Sequence, residues 1–257
     1  VNGLVGSEMC IRDSNRIIQN MIAFYGVDPD RVYLMGYSAG GDGVYQVAPR
    51  MADRFAAAAM MAGHPNDASP LNLRNIGFTL FMGGQDSAYN RNGVAIEWKD
   101  KLKILKDNDQ EGYNHHVEIY PDKGHWMGGL DSSAIPWLLK FTRDSYPAKV
   151  IWRQDDILQN RFYWLKVENP EVYSKITANI YDQTITIEES SISEFIIQLN
   201  DDLVNMNQPI IVKYMDKIIF EGLVKRDTSI LKNSIKEYGD PKSVYYGEIP
   251  ISINLKK

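Results

Sequence analysis

The chain has 257 residues, enough for one large or two small domains, and its 44% hydrophobic and 24% charged residues are the balance of a globular protein. A formal net charge of −5 argues against a nucleic-acid or anionic-membrane surface, and no run approaches the roughly eighteen apolar residues of a membrane span. The single cysteine, Cys10, excludes internal disulfides and thiolate metal clusters, and with no CxxC, HExxH or Walker-type pattern nothing asks for a metal, nucleotide or other cofactor.

Leu4-Val5-Gly6-Ser7-Glu8-Met9-Cys10-Ile11-Arg12-Asp13-Ser14 has no hydrophobic period and no cap, and it resembles a translated transposase-type sequencing adapter. Residues 1–14 are therefore set aside from the fold reading as a non-native, adapter-like segment, with the physiological start and any signal peptide missing. From Asn15 to about Tyr146, helix-like and short apolar strand-like segments alternate. That pattern predicts an α/β domain with a parallel sheet over residues 15–146. Ile17, Ile18, Met21, Ile22 and Tyr25 form one helical face, Val27–Asp30 a turn, and Arg31–Met35 a strand. A helix over Gly41–Met51 follows, then apolar strands at Ala56–Ala62 and Phe78–Met82. Asn90–Lys106 reads as an amphipathic helix with Val94, Trp98, Leu102 and Leu105 inward, Val117–Tyr120 as a strand, and Ser132–Phe141 as a closing helix.

After Tyr146-Pro147 the period falls to two. Ile176–Tyr181 with Thr184–Ile187, and Ile210–Tyr214 with Ile218–Val224, read as hairpins around Asp182-Gln183 and Asp216-Lys217. Adding Lys149–Arg153, Phe162–Val167, Phe195–Leu199 and Glu248–Ile253 gives about eight short strands, which predicts a small β-sandwich-like domain over residues 147–257. One helix, Thr228–Tyr238, is capped by Asp227. Trp152, Tyr163 and Trp164 could form a sugar-stacking platform, although aromatics on period-2 strands favour a core role.

Chemistry enters at Gly36-Tyr37-Ser38-Ala39-Gly40, which links the apolar strand to a helix. A serine on a sharp strand-to-helix turn has its hydroxyl lifted clear of the sheet, and Gly36, Gly40 and Gly41 leave room for the crossing backbones. The Ala39 N–H would point to where an oxyanion forms. A serine alcohol needs a base, and the base needs a group that orients it. Of the four histidines only His125 lies in a loop straight after a strand; His115 and His116 open that strand. His64, in Gly63-His64-Pro65-Asn66-Asp67, could line a pocket or cap its own loop. Asp86 follows Gly83-Gly84-Gln85 at a strand exit between serine and histidine, with Asp67 as the alternative acid. Asp122 suits a turn, and Asp42 suits the positive end of the elbow helix. Tyr37 and Trp126 are candidate pocket walls.

Asp28-Pro29-Asp30-Arg31-Val32-Tyr33-Leu34-Met35-Gly36-Tyr37-Ser38-Ala39-Gly40-Gly41 resembles the elbow segment of the α/β-hydrolase superfamily. The nearest groups are phospholipase/carboxylesterases, polyhydroxyalkanoate-depolymerase-like and feruloyl-esterase-like enzymes, and prolyl-oligopeptidase-family hydrolases. The resemblance covers Asn15 to about Phe141. It implies a Ser38–His125–Asp86 triad acting on a small-molecule or polymer-linked ester through an acyl-enzyme, with a prolyl-oligopeptidase-type peptidase as the alternative. It also implies that earlier sheet strands and the second oxyanion donor are missing, leaving Arg31–Tyr37 as an edge strand and Ile17, Met21 and Ile22 exposed. A third reading is a non-catalytic carbohydrate-binding or structural module built on the β half.

Overall fold

The computed structural model describes residues 8–254. These fall into two compact units, one of residues 8–18 and 27–144, the other of residues 19–26 and 145–254.

The chain enters through α1, Glu8–Tyr25. This helix takes in residues 8–14 of the adapter-like segment; residues 1–7 lie outside the described residues. Ile11 and Ile18, two turns apart, are the buried positions, and extending an existing helix backward costs far less than nucleating one. Ile17 and Met21 are exposed and Ile22 half-buried.

Four strands form the first unit's sheet: β1 (Tyr33–Tyr37), β2 (Ala57–Met61), β3 (Gly77–Gly83) and β4 (His115–Tyr120). They lie in the order β1-β2-β3-β4 with every neighbouring pair parallel. Every residue of β2 and β3 is buried, which is why both read as unbroken apolar runs rather than as alternating ones. Among the described residues β1 pairs only with β2 and is an edge, with Met35 at 47% exposure.

Helices cover both faces, and the alternation along β3 assigns them. Phe78 meets Tyr45 of α2 (Ala39–Arg50) and Trp98 of α3 (Arg91–Asn108), with ring centroids 6.1 and 5.7 Å away. Phe81 points the other way, into a cluster with Ala57, Ala59, Met61, Met127, and Ala134 and Leu138 of α4 (Ala134–Leu138). On α3, Ala95, Trp98 and Leu102 are buried, while Val94 and Leu105 are half-buried. The closing helix is shorter than the expected Ser132–Phe141. A 3-10 turn at Leu130–Ser133 precedes α4, and the chain tightens again through Lys140 N–H to Trp137 O and Phe141 N–H to Leu138 O. The Phe141 carbonyl then accepts from the Tyr33 hydroxyl at 2.8 Å.

The second unit is built from two sheets of mainly antiparallel strands. β5 (Lys149–Arg153), β8 (Lys175–Tyr181), β9 (Thr184–Ser190), β11 (Ile210–Tyr214) and β12 (Lys217–Gly222) lie in the order β12-β11-β9-β8-β5. β6 (Arg161–Phe162), β7 (Leu165–Lys166), β10 (Glu194–Leu199) and β13 (Gly247–Ser252) lie in the order β13-β10-β7-β6. The expected strand Phe162–Val167 is instead a tight hairpin, because Tyr163 adopts a left-handed φ of 51° and reverses the chain. Met215 and Asp216, both at positive φ, make the β11–β12 turn, as two-residue hairpin loops require. The last helix, α5 (Thr228–Tyr238), is capped by the Asp227 carboxylate and ends at Gly239 with φ 59°. Trp152, Tyr163 and Trp164 are 3%, 1% and 0% exposed, and Trp164 Nε1 donates to Pro147 O at 2.8 Å. None of the three offers a face for stacking.

Candidate active site

Ser38 sits between β1 and α2 with φ 57° and ψ −120°, a conformation that L-residues avoid unless their surroundings impose it. The surroundings here are backbones without side chains. A Cβ on Gly36 would overlap the Gly40 carbonyl, and one on Gly41 would overlap Met61 O and lie 3.0 Å from Gly63 Cα. Gly40 itself faces open space, so its assigned role is corrected: it is Gly36, Gly41 and Gly63 that the crossing needs bare. Ser38 N–H donates to Met61 O at 2.9 Å, which ties the turn to the end of β2. Ala39 opens α2, so its N–H has no acceptor within the helix and remains directed out of the helix start.

Two loops bring the other groups to the serine. The exits of β3 and β4 are joined by Gly84 N–H to Tyr120 O at 2.7 Å and Gln85 N–H to Lys123 O at 2.9 Å. From these exits Asp86, 3% exposed, and His125 face each other. His125 Nδ1 lies 2.7 Å from Asp86 Oδ2, and His125 Nε2 lies 2.9 Å from Ser38 Oγ. An ionised carboxylate only accepts, so Nδ1 carries the proton and the Nε2 lone pair faces the serine hydroxyl. The Arg91 guanidinium lies on the far side of the carboxylate, Nη1 3.6 Å from Asp86 Oδ1.

Tyr37 and Trp126 are beside this row. The Tyr37 ring is centred 5.7 Å from both the His125 and Trp126 rings. Its hydroxyl donates to the backbone carbonyl of His125, a latch that sequence reading did not find. Burial raises the Tyr37 pKa, the charges of Asp131 and Asp86 add to this, and a backbone hydrogen bond from Met127 opposes it. The hydroxyl therefore stays a neutral donor. Trp126 is 71% exposed.

The remaining candidates have other partners. His64 Nδ1 accepts from Asn66 N–H at 3.0 Å, within its own loop, while His64 N–H donates to the Asp42 carboxylate at 2.6 Å. Asp42 thus ties the β2 exit to α2, beyond any interaction with the helix dipole. Asp67 lies 3.4 Å from Gln46 Nε2, and Asp122 is exposed in the turn after β4. His115 Nδ1 contacts Tyr113 O at 2.8 Å, and His116 lies 3.7 Å from Glu118 at the surface. Among the described residues no group of three or more His, Cys, Asp or Glu is placed to hold a metal ion, and no helix is long and apolar enough to cross a membrane.

A parallel sheet with helices on both faces, carrying a serine on a strained strand-to-helix turn, is the architecture of an α/β-hydrolase domain. Residues 5–135, just over half of the chain, match the dienelactone hydrolase family, and the chain belongs to that family. No curated protein matches the sequence. Among solved structures it is similar to a thermostable esterase (19% identity, TM-score 0.40), covering 52% of this chain and 37% of that one. It is also similar to a carboxylesterase from Mesorhizobium loti (17%, TM-score 0.38; 52% of this chain, 63% of that one). A third is the Bacillus cereus carboxylesterase (19%, TM-score 0.39; 51% of this chain, 59% of that one). In each case the chain spans less than two thirds of the other protein's length.

Proposed function

We propose that this protein is a serine hydrolase of carboxylic esters, with Ser38 as nucleophile, His125 as general base and Asp86 as the group that orients the base. The observation that carries the reading is the continuous hydrogen-bonded row Ser38 Oγ–His125–Asp86 on a strained turn. In the first half-reaction Ser38 Oγ bonds to the ester carbonyl carbon and its proton passes to His125 Nε2. The carbonyl oxygen becomes an oxyanion facing the Ala39 N–H. Collapse breaks the carbon–oxygen bond to the alcohol, which leaves with the proton from Nε2. Water, deprotonated by the same nitrogen, then frees the acid and restores Ser38. Asp86 keeps Nδ1 protonated and stabilises the imidazolium formed in each half. Tyr37 and the exposed Trp126 are the proposed walls beside the reacting carbonyl.

The same residues would serve a peptidase, so the test separates substrate from nucleophile. The purified chain is treated with a fluorophosphonate probe and assayed on p-nitrophenyl esters beside dipeptidyl anilides. Ester turnover that disappears in Ser38→Ala and falls by about 10⁴ in Asp86→Asn is expected. Equal turnover in Ser38→Ala would remove the reading, and anilide turnover without ester turnover would move it to the peptidase.

For the second unit we propose a structural, sandwich-like appendage. Support comes from the burial of Trp152 and Trp164, which leaves no aromatic platform for a sugar at those positions.

A further inference from the structure

Between Asp86 and α3 the chain carries features that cost stability and that packing does not explain. Tyr89 (φ 55°, ψ 21°) and Asn90 (φ 57°, ψ 31°) are consecutive non-glycine residues in the left-handed region, which asparagine tolerates and tyrosine rarely adopts. Tyr89 is 79% exposed, so no burial of its ring accounts for the strain. The next residue, Arg91, places a cation at the first position of α3, the helix end at which a positive charge is disfavoured. Its side chain is only 13% exposed, and its buried Nε has no hydrogen-bond partner.

These features share one product. The left-handed pair turns the chain so that the guanidinium projects back, over the Tyr89 ring at 5.0 Å, to within 3.6 Å of Asp86 Oδ1. Asn92 locks the same turn, its N–H donating to Asp86 O at 3.0 Å and its Nδ2 to Gly84 O at 2.9 Å. The Asn90 amide lies over Gly93, in the space a side chain there would occupy. Strain concentrated next to a reacting group, and held there by surrounding contacts, points to a functional constraint.

We infer that Arg91 is a positioning residue for the Ser38–His125–Asp86 row: it holds Asp86 Oδ1 so that Oδ2 stays aligned with His125 Nδ1 as the imidazole gains and loses its proton. This inference rests on the esterase reading. A carboxylate engaged through one oxygen can swing about its terminal torsion. A charge on the other oxygen stops the swing and balances a carboxylate that is almost wholly removed from water. Arg91 does not touch the reacting atoms.

The test compares Arg91→Lys, which keeps the charge, with Arg91→Met, which keeps the bulk, in the full chain. The readouts are the rate of Ser38 labelling by a fluorophosphonate and the kcat and KM for p-nitrophenyl acetate. Arg91→Met is expected to slow labelling and kcat about tenfold with KM little changed, and Arg91→Lys to stay within about threefold of the parent. A purely structural role predicts the reverse order, because the apolar side chain suits a buried site better than an ammonium. Should Arg91→Met not fold, Arg91→Gln replaces it in the comparison. Labelling in Arg91→Met (or Arg91→Gln) at the parent rate, or no faster in Arg91→Lys, overturns the inference and leaves the nucleophile reading standing. No Ser38-dependent labelling of the parent chain overturns both.

Discussion

Gly83 and Gly124 approach so closely that a Cβ on Gly83 would overlap the Gly124 carbonyl oxygen. The loops bearing Asp86 and His125 are therefore set by a backbone-on-backbone contact, made where β3 and β4 leave the sheet. Replacing Gly83 by Ala must push the His125 loop outward. The expected result is a loss of about 1–3 kcal/mol of stability together with slower Ser38 labelling. Gly124→Ala is the control, because a Cβ there meets nothing within 4 Å. Chemical denaturation and probe labelling of both variants check the asymmetry; equal behaviour would contradict it.

Tyr37→Phe removes the hydroxyl that donates to the His125 carbonyl while leaving the ring beside Trp126. A stability loss of about 0.5–1.5 kcal/mol is expected for one hydrogen bond. Ester turnover should fall severalfold, through kcat. Because burial holds the Tyr37 pKa above its ordinary value, the latch persists through mildly alkaline solution. The ratio of parent to Tyr37→Phe turnover should therefore stay constant between about pH 7 and pH 9. A ratio that collapses over that range would show that the hydroxyl ionises.

Trp98 is 1% exposed and its ring centroid lies 4.5 Å from that of Tyr45, joining α3 to α2 over Phe78. Trp98→Ala is expected to destabilise the first unit by about 3–5 kcal/mol, since it removes buried aromatic area and leaves a cavity among rigid rings. Urea unfolding followed by far-ultraviolet circular dichroism measures this. A change under about 1 kcal/mol would mean that the helices collapse into the gap.

In the second unit Asp201 accepts from Arg226 Nε and from the Tyr246 hydroxyl, at 2.9 and 2.8 Å, and these bonds lower its pKa to about 2. The folded value is below the unfolded one of about 3.9. The stabilisation is therefore fully present above about pH 4 and is lost as pH falls through about 2. Because the pair is exposed and screened, Asp201→Asn should cost no more than about 1 kcal/mol at pH 7. At pH 2 and equal ionic strength it should cost less. Denaturation at both pH values tests the sign, and a larger loss at pH 2 would refute it.

Where local chemistry sets structure, the amino-acid order was sufficient. The unbroken apolar runs of β2 and β3 announce strands buried on both faces, and Asp227 marks the start of α5. Ser38, Asp86 and His125 were legible as candidates because each is marked by the turn or strand exit that carries it. The errors have local causes too. Tyr163 at positive φ breaks what reads as one strand, since nothing in a tyrosine advertises a left-handed residue. The adapter-like order of residues 4–14 hides the first turns of α1, whose buried positions there and beyond are only Ile11 and Ile18.

The sequence by itself determined the order in which strands and helices alternate in the first unit, and which side chains stand at strand ends. Periodicity and capping are properties of neighbours along the chain. Only the tertiary structure decided that Asp86, rather than Asp67 or Asp122, meets His125. It also decided that Gly63 must be bare while Gly40 need not be, and that Arg91 turns back to the carboxylate. These relations depend on distances between backbones that meet across the sheet, and no spacing along the chain encodes how closely two such segments pass.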